Sequence, residues 1–125
     1  MRAFITGGAG FIGSNLADAL LEKGYEVVVY DNFATGQRLF VEHNLNHSSY
    51  HLINADVLDK ASLHSAMAGA DIVFHFQANA DVRGGIKNTS IDLEQNIIAT
   101  HHVLEGLRLH GIKKIAFASS ATVYG

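Results

Sequence analysis

The chain has 125 residues, 48% hydrophobic and 17% charged, with a net charge of −3, the composition of one soluble globular domain and not of a disordered or fibrous chain. It contains no cysteine, which excludes disulfides, thiolate nucleophiles and cysteine-ligated zinc or iron–sulfur centres and fits a cytoplasmic location. The 9 basic residues are scattered singly apart from Lys113-Lys114, so no basic face exists for nucleic acid, and the first apolar run reaches Gly7 too soon for a signal peptide or a membrane span.

In chain order, short β-branched runs alternate with helical stretches, the pattern of a parallel sheet. Strands are predicted over residues 2–6, 26–30, 51–54, 71–76 and 114–118, each nearly all apolar at its centre, as strands covered on both faces must be. A helix over 13–23 places Leu16, Ala19 and Leu20 on one face with Asp18, Glu22 and Lys23 opposite, and Gly24 closes it. Residues 32–49 read as loop or frayed helix. Asp59 is the expected N-cap of a short helix through Met67, ended by Gly69. Residues 78–89 again read as loop or frayed helix. A long helix over 90–110 aligns Leu93, Ile97, Thr100, Leu104 and Leu107 in one stripe and stops at Gly111. Right-handed crossovers then favour an α/β, Rossmann-type doubly wound sheet of about five strands in the order 3-2-1-4-5, with the ligand crevice at the switch between the first and fourth strands.

Gly7-Gly8-Ala9-Gly10-Phe11-Ile12-Gly13 follows a strand and opens a helix, and it contains both Gly-x-Gly-x-x-Gly and Gly-x-x-Gly-x-x-Gly spacings. Glycines there let the backbone turn tightly and approach a pyrophosphate, whose charge meets free N–H groups and the positive end of the helix dipole. The bland alternative is a tight turn with no ligand; a Walker loop fails because no Gly-Lys-Ser/Thr follows. Asp31 ends the second strand eighteen residues after Gly13, the place where a carboxylate accepts from an adenosine ribose and repels a 2′-phosphate, which selects NAD over NADP. His43-x-x-x-His47 and His101-His102 raise the question of a metal, but no carboxylate completes a zinc triad and the metalloprotease glutamate is missing. Surface histidines and no metal are expected; His75, inside an apolar strand, reads as a hydrogen-bonded core residue.

Together with Thr6 and Ser14 flanking the glycine loop, Asp31-Asn32, Ala55-Asp56-Val57, Phe74-His75-Phe76, Asn96 and Ser119-Ser120-Ala121-Thr122-Val123-Tyr124-Gly125, this pattern resembles the extended short-chain dehydrogenase/reductases. Within them it is similar to the NAD-dependent sugar-nucleotide epimerases and dehydratases, the group that includes the UDP-glucose 4-epimerases. The resemblance runs over essentially the whole chain. It implies that Gly7, Gly10, Phe11, Ile12 and Gly13 hold the pyrophosphate, Asp31 with Asn32, Phe33, Ala34, Thr35 and Gly36 the adenosine ribose, and Asp56 and Val57 the adenine. Phe76, Gln77, Ala78, Asn79 and Ala80 would run beside the nicotinamide ribose, with Asn96 bracing these loops from its helix. Ser120 takes the place of the catalytic serine or threonine, whose hydroxyl bonds the sugar hydroxyl being oxidised. By the same resemblance, NAD removes hydride from a sugar carbon while a tyrosine takes the hydroxyl proton, and the long helix over 90–110 mediates homo-oligomer formation.

Two departures stand out. Gln77 occupies a position where relatives carry a small residue. The Tyr-x-x-x-Lys pair that supplies the general base is absent: positions four after Tyr25, Tyr30 and Tyr50 are Val29, Ala34 and Asn54, and Tyr124 is followed by one residue. The chain is therefore expected to be the NAD-binding portion of a nucleotide-sugar enzyme, truncated relative to the family and without turnover on its own, with its missing prolines explained by the missing substrate domain. A stand-alone non-catalytic NAD-binding module and a reductase of a non-sugar carbonyl are the alternatives.

Overall fold

Five short runs rich in β-branched and aromatic residues pair in parallel to form one sheet in a computed structural model, which describes residues 1–79, 81, 83–120 and 124. They are β1 (Arg2–Thr6), β2 (Glu26–Asp31), β3 (Tyr50–Asn54), β4 (Ile72–His75) and β5 (Ile115–Phe117). Their order is β3-β2-β1-β4-β5, the doubly wound order that the element pattern predicts. Ala3 and Ile5 pair with Val27 and Val29 of β2, and Ile5 with Phe74 of β4. Because side chains alternate along a strand, Ala3, Ile5, Val27 and Val29 face one core cluster and Phe4, Val28, Tyr30 and Val73 the other.

Helix α1 (Phe11–Glu22) covers the first face through Ala17 and Leu20. It begins two residues before the predicted start, since Gly10 already serves as the extended N-cap. Gly24, at φ +84°, ends it as expected. Helix α2 (Lys60–Met67) starts at Asp59, whose carboxylate accepts from the Ser62 amide at 3.2 Å. Residues 32–49 hold two single 3₁₀ turns, Arg38–Phe40 and Glu42–Asn44. The long helix is segmented: after the short α3 (Gly84–Lys87), α4 (Ser90–Asp92) leads through a π-helical stretch (Leu93–Ile98) into α5 (Ala99–His110), closed by Gly111.

The structure corrects two expectations. The buried face of α5 is Ala99, Val103, Gly106 and Leu107, so the predicted stripe divides. Leu107 is in the core, while Leu93, Ile97 and Leu104 are exposed. A π turn holds more residues than an α turn, which takes Leu93 and Ile97 off a face drawn at 3.6 residues per turn, while Leu104, in α5 itself, lies beside the face of Val103 and Leu107 and not on it. The second correction concerns β5, which is not covered on both faces: Ile115 and Phe117 are exposed. Among the described residues no helix is long and apolar enough to cross a membrane.

Removing the α2 cap tests how local rules set this layer. Asp59→Ala is expected to lower stability by about 1 kcal/mol, read as a lower urea midpoint with an unchanged slope.

Candidate dinucleotide-binding site

The turn after β1 is shaped by contacts that only glycine permits. Gly7 lies at φ +72°, and a Cβ on Gly13 would sit 2.5 Å from the Gly7 carbonyl oxygen and 2.7 Å from the Gly8 Cα. With no side chain at Gly13, α1 starts directly over the end of β1. The Gly10 N-cap has no side-chain partner and the first turn carries no acidic residue, so its backbone donors and the positive dipole end are left for an anionic ligand. Phe11 and Ile12 turn their side chains to solvent, which keeps them out of the way of those amides.

Asp31, at the end of β2, ties this turn to the next loop. Its Oδ2 accepts from the Ala9 amide at 2.9 Å and its Oδ1 from the Phe33 amide at 2.8 Å. A carboxylate accepts about four hydrogen bonds, so two positions remain. Phe33 is held at φ 60°, outside the range favoured by a bulky residue, and Asn32 caps the Ala34 amide. Gly36 passes close by: a Cβ there would fall 2.7 Å from Ala9 Cβ and 3.0 Å from Asp31 Oδ1.

These pieces enclose a crevice of about 300 Å³ at the switch between β1 and β4, lined by Gly7, Gly10, Asp31, Asn32, Ala34, Thr35, Gly36, Phe76, Gln77, Ala78 and Asn79. A second cavity of about 540 Å³ shares Phe76, Gln77, Ala78 and Asn79 and holds Asn96, Ser119 and Ser120. Asn96 braces the loop after β4, accepting from the Asn79 amide at 2.8 Å and donating to Asp92 at 3.1 Å. Two expected adenine contacts do not line the crevice. Val57 is buried in the core and Asp56 caps the Leu58 amide while accepting from Asn32 at 3.3 Å. Phe33 packs against the core cluster on the α1 side. Ala80, and with it Ala121, Thr122, Val123 and Gly125 of the terminal motif, lie outside the described residues.

Sequence reasoning missed Ile91 and Gln95, which also line the crevice; they belong to no motif and arrive there through the path of the segmented helix. It also missed what His75 bonds to. Thr100 donates to the Asn96 carbonyl oxygen, so His75 Nε2–H donates to Thr100 Oγ1 at 3.0 Å. That leaves His75 Nδ1 as acceptor from Thr6 Oγ1 at 2.6 Å, and Thr6 Oγ1 in turn accepts from the Phe76 and Gln77 amides. The chain of bonds fastens the ends of β1 and β4 to the long helix directly under the crevice. The other histidines have separate partners: exposed His43 pairs with Asp18, and His47 Nδ1 accepts from the Ser49 amide. The two do not share a helix face, because the 3₁₀ turn that holds His43 ends at Asn44. Among the described residues no group of three metal-ligating side chains comes together.

The residues present suit a dinucleotide. A Cβ at Gly13 would collide with the turn, the α1 N-cap Gly10 lines the crevice, though Phe11, Ile12 and Gly13 do not, and Asp31 offers a carboxylate in the same lining. Comparison with known proteins points the same way. The model of the "NAD dependent epimerase/dehydratase family" matches residues 3–125. The chain is 38% identical over 124 residues to the UDP-N-acetyl-alpha-D-glucosaminuronate decarboxylase of Bacillus cytotoxicus, covering 99% of the chain and 38% of that protein. It is 34% identical over 125 residues to the UDP-glucose 4-epimerase of Corynebacterium glutamicum, covering 100% of the chain and 36% of that protein. The crystal structure of UDP-glucose-4-epimerase from Stenotrophomonas maltophila with bound NAD and formylated UDP-arabinopyranose superposes with a TM-score of 0.90 at 30% identity, over 100% of the chain and 38% of that protein. The chain thus spans about two-fifths of the length of these relatives, corresponding to the N-terminal part of UDP-glucose 4-epimerases.

Burial pushes the His75 imidazole down to about 4, against about 6.5 for an unfolded histidine. The folded state therefore binds fewer protons in the interval between these values, and stability that is full above pH 6.5 is lost as pH falls toward 4, by up to about 3 kcal/mol. Urea midpoints of the wild type are expected to drop across that interval. In His75→Leu, less stable at pH 7, the drop should be markedly smaller.

Proposed function

Since the chain belongs to the NAD dependent epimerase/dehydratase family, we propose that it is the NAD-binding portion of an enzyme acting on nucleotide sugars, of the UDP-glucose 4-epimerase type. The observation that carries this reading is the uncapped start of α1 packed through Gly13 against Gly7, with Asp31 at one end of the same crevice. The amides of the first turn hold the pyrophosphate. Asp31 accepts from the adenosine ribose with the positions not used by Ala9 and Phe33, while Asn32, Phe33, Ala34, Thr35 and Gly36 shape the wall around it. Asp56 and Val57 border the adenine end through their backbone and the Asn32 contact. Phe76, Gln77, Ala78, Asn79 and Ala80 run along the nicotinamide ribose, kept in position by Asn96.

When bound, NAD supplies the hydride acceptor. Ser120 faces the cavity next to the nicotinamide end and orients a sugar hydroxyl by hydrogen bonding. A serine hydroxyl needs an adjacent activating group before it takes up a proton near neutral pH, and the 125 residues contain no Tyr-x-x-x-Lys pair to provide one. Sugar recognition by these residues is accordingly limited to positioning.

The exposed apolar side chains of the long helix, Leu93, Ile97 and Leu104, form the surface through which a second copy of the chain docks, because apolar area of this kind on one face favours association.

Calorimetry tests the cofactor reading. The wild type is expected to bind NAD at least roughly tenfold more tightly than NADP, a difference of about 1.4 kcal/mol, because the 2′-phosphate would approach the Asp31 carboxylate. Asp31→Asn should narrow that ratio, and equal or tighter NADP binding by the wild type would remove Asp31 as the selector. For association, sedimentation should give a dimer that Ile97→Glu converts to monomer; a monomer at all concentrations would exclude this surface.

A further inference from the structure

Gln77 stands where the two cavities meet, and one of its polar atoms is left over. Its backbone is fixed: the Gln77 amide donates to Thr6 Oγ1 at 3.2 Å, and it lies so near the glycine turn that a Cβ on Gly7 would fall 2.8 Å from the Gln77 nitrogen. Its side chain crosses to the π-helical stretch, where Nε2 donates to Gln95 Oε1 at 2.6 Å. Its own Oε1 is buried and has no hydrogen-bond partner among the described residues. A buried acceptor without a donor costs about 1–3 kcal/mol, and such atoms are uncommon enough to call for a physical reason.

The site supplies one. Asp31 and Asn32 occupy one end of the crevice, the α1 start its middle, and Gln77 and Gln95 the other end. A dinucleotide that places its pyrophosphate at α1 and its adenosine ribose at Asp31 puts its second half beside Gln77. That half carries N–H and O–H donors, in the carboxamide and on the ribose. An acceptor that bonds to nothing gives up no hydrogen bond by turning toward such a donor, and the Gln77 Nε2–Gln95 Oε1 bond anchors the amide about which it turns.

We propose that Gln77 is a specificity-determining residue for the nicotinamide-riboside half of the cofactor, its Oε1 accepting a hydrogen bond from an N–H or O–H group of that half. The proposal rests on the dinucleotide reading of the crevice and assigns the ligand a side-chain contact from the loop after β4. It makes the amide a reader of the ligand and not an obstruction in its path.

The test is calorimetric titration of the wild type, Gln77→Met and Gln77→Ala with ADP, ADP-ribose, NAD and nicotinic acid adenine dinucleotide. Methionine keeps the volume without polar atoms, and alanine removes the side chain; thermal melting establishes that both variants fold. NAD binding should weaken by roughly three- to tenfold in both variants, the range expected for one hydrogen bond, while ADP binding stays unchanged. If the carboxamide N–H is the donor, nicotinic acid adenine dinucleotide binds the wild type as weakly as NAD binds the variants. If the ribose is the donor, ADP-ribose weakens together with NAD. Unchanged or tighter NAD binding in both variants overturns the proposal, as does an equal loss for ADP, which would mean that the substitutions distort the glycine turn. A wild type that binds ADP but no more tightly NAD also overturns it, with the adenosine site intact. Binding of neither ligand by the wild type would instead reject the dinucleotide reading itself.

Discussion

The contact between Gly13 and the Gly7 carbonyl is the constraint from which the rest of the site follows. A Cβ at Gly13 would lie 2.5 Å from that oxygen, with the Gly8 Cα at 2.7 Å, and both obstacles are backbone that has no rotamer to give way. Only because the space is empty does α1 begin over the end of β1. Its N-cap Gly10 then lines the crevice, and Ala9 is brought to where Asp31 holds it at 2.9 Å. Asp31 passes the same order on to the 32–36 loop through Phe33. One close approach of helix to turn thus organises the ends of β1 and β2.

The other wall depends on buried polar bonds. Thr6, His75 and Thr100 form a series in which each hydroxyl and ring nitrogen has a partner, which is the condition for polar groups to be stabilising in a medium of low dielectric. The series also settles which His75 nitrogen carries the proton, and burial keeps the ring neutral. Its far end, Thr100 on α5, donates to the Asn96 carbonyl of the π-helical stretch, where consecutive residues reach neighbouring cavities: Gln95 lines one and Asn96 the other. The loop after β4 is thereby pinned from below by Thr6 and from the side by Asn96 and Gln95.

Family membership and site geometry bear on different parts of function. Relatives that match over almost the whole chain include both a decarboxylase and an epimerase. What they share with this chain is the N-terminal two-fifths, which holds the crevice beside Gly7, Gly10 and Asp31 and a cavity at Ser120 next to β5, where Ile115 and Phe117 are exposed. The shared segment thus contains the crevice at the switch between β1 and β4, while the names of these relatives differ in the reaction they carry.

Local chemistry determined much by itself. The apolar runs specify five parallel strands and their order, Asp59 caps α2 through its own carboxylate, Gly24 and Gly111 end their helices with positive φ, and the glycine turn with Asp31 marks the crevice, because each of these signals acts between residues close in the chain or through a fixed period. The tertiary structure alone decided which face of the long helix is buried: the π-helical stretch changes the period under Leu93 and Ile97, and within α5 the core takes Val103 and Leu107 and leaves Leu104 outside. It alone set Val57 in the core, exposed β5, and joined His75 to Thr6 and Thr100. Gln77 meets Gln95 for the same reason: partners on different elements are selected by packing, and no spacing along a chain encodes which side chains that packing will bring within hydrogen-bond reach.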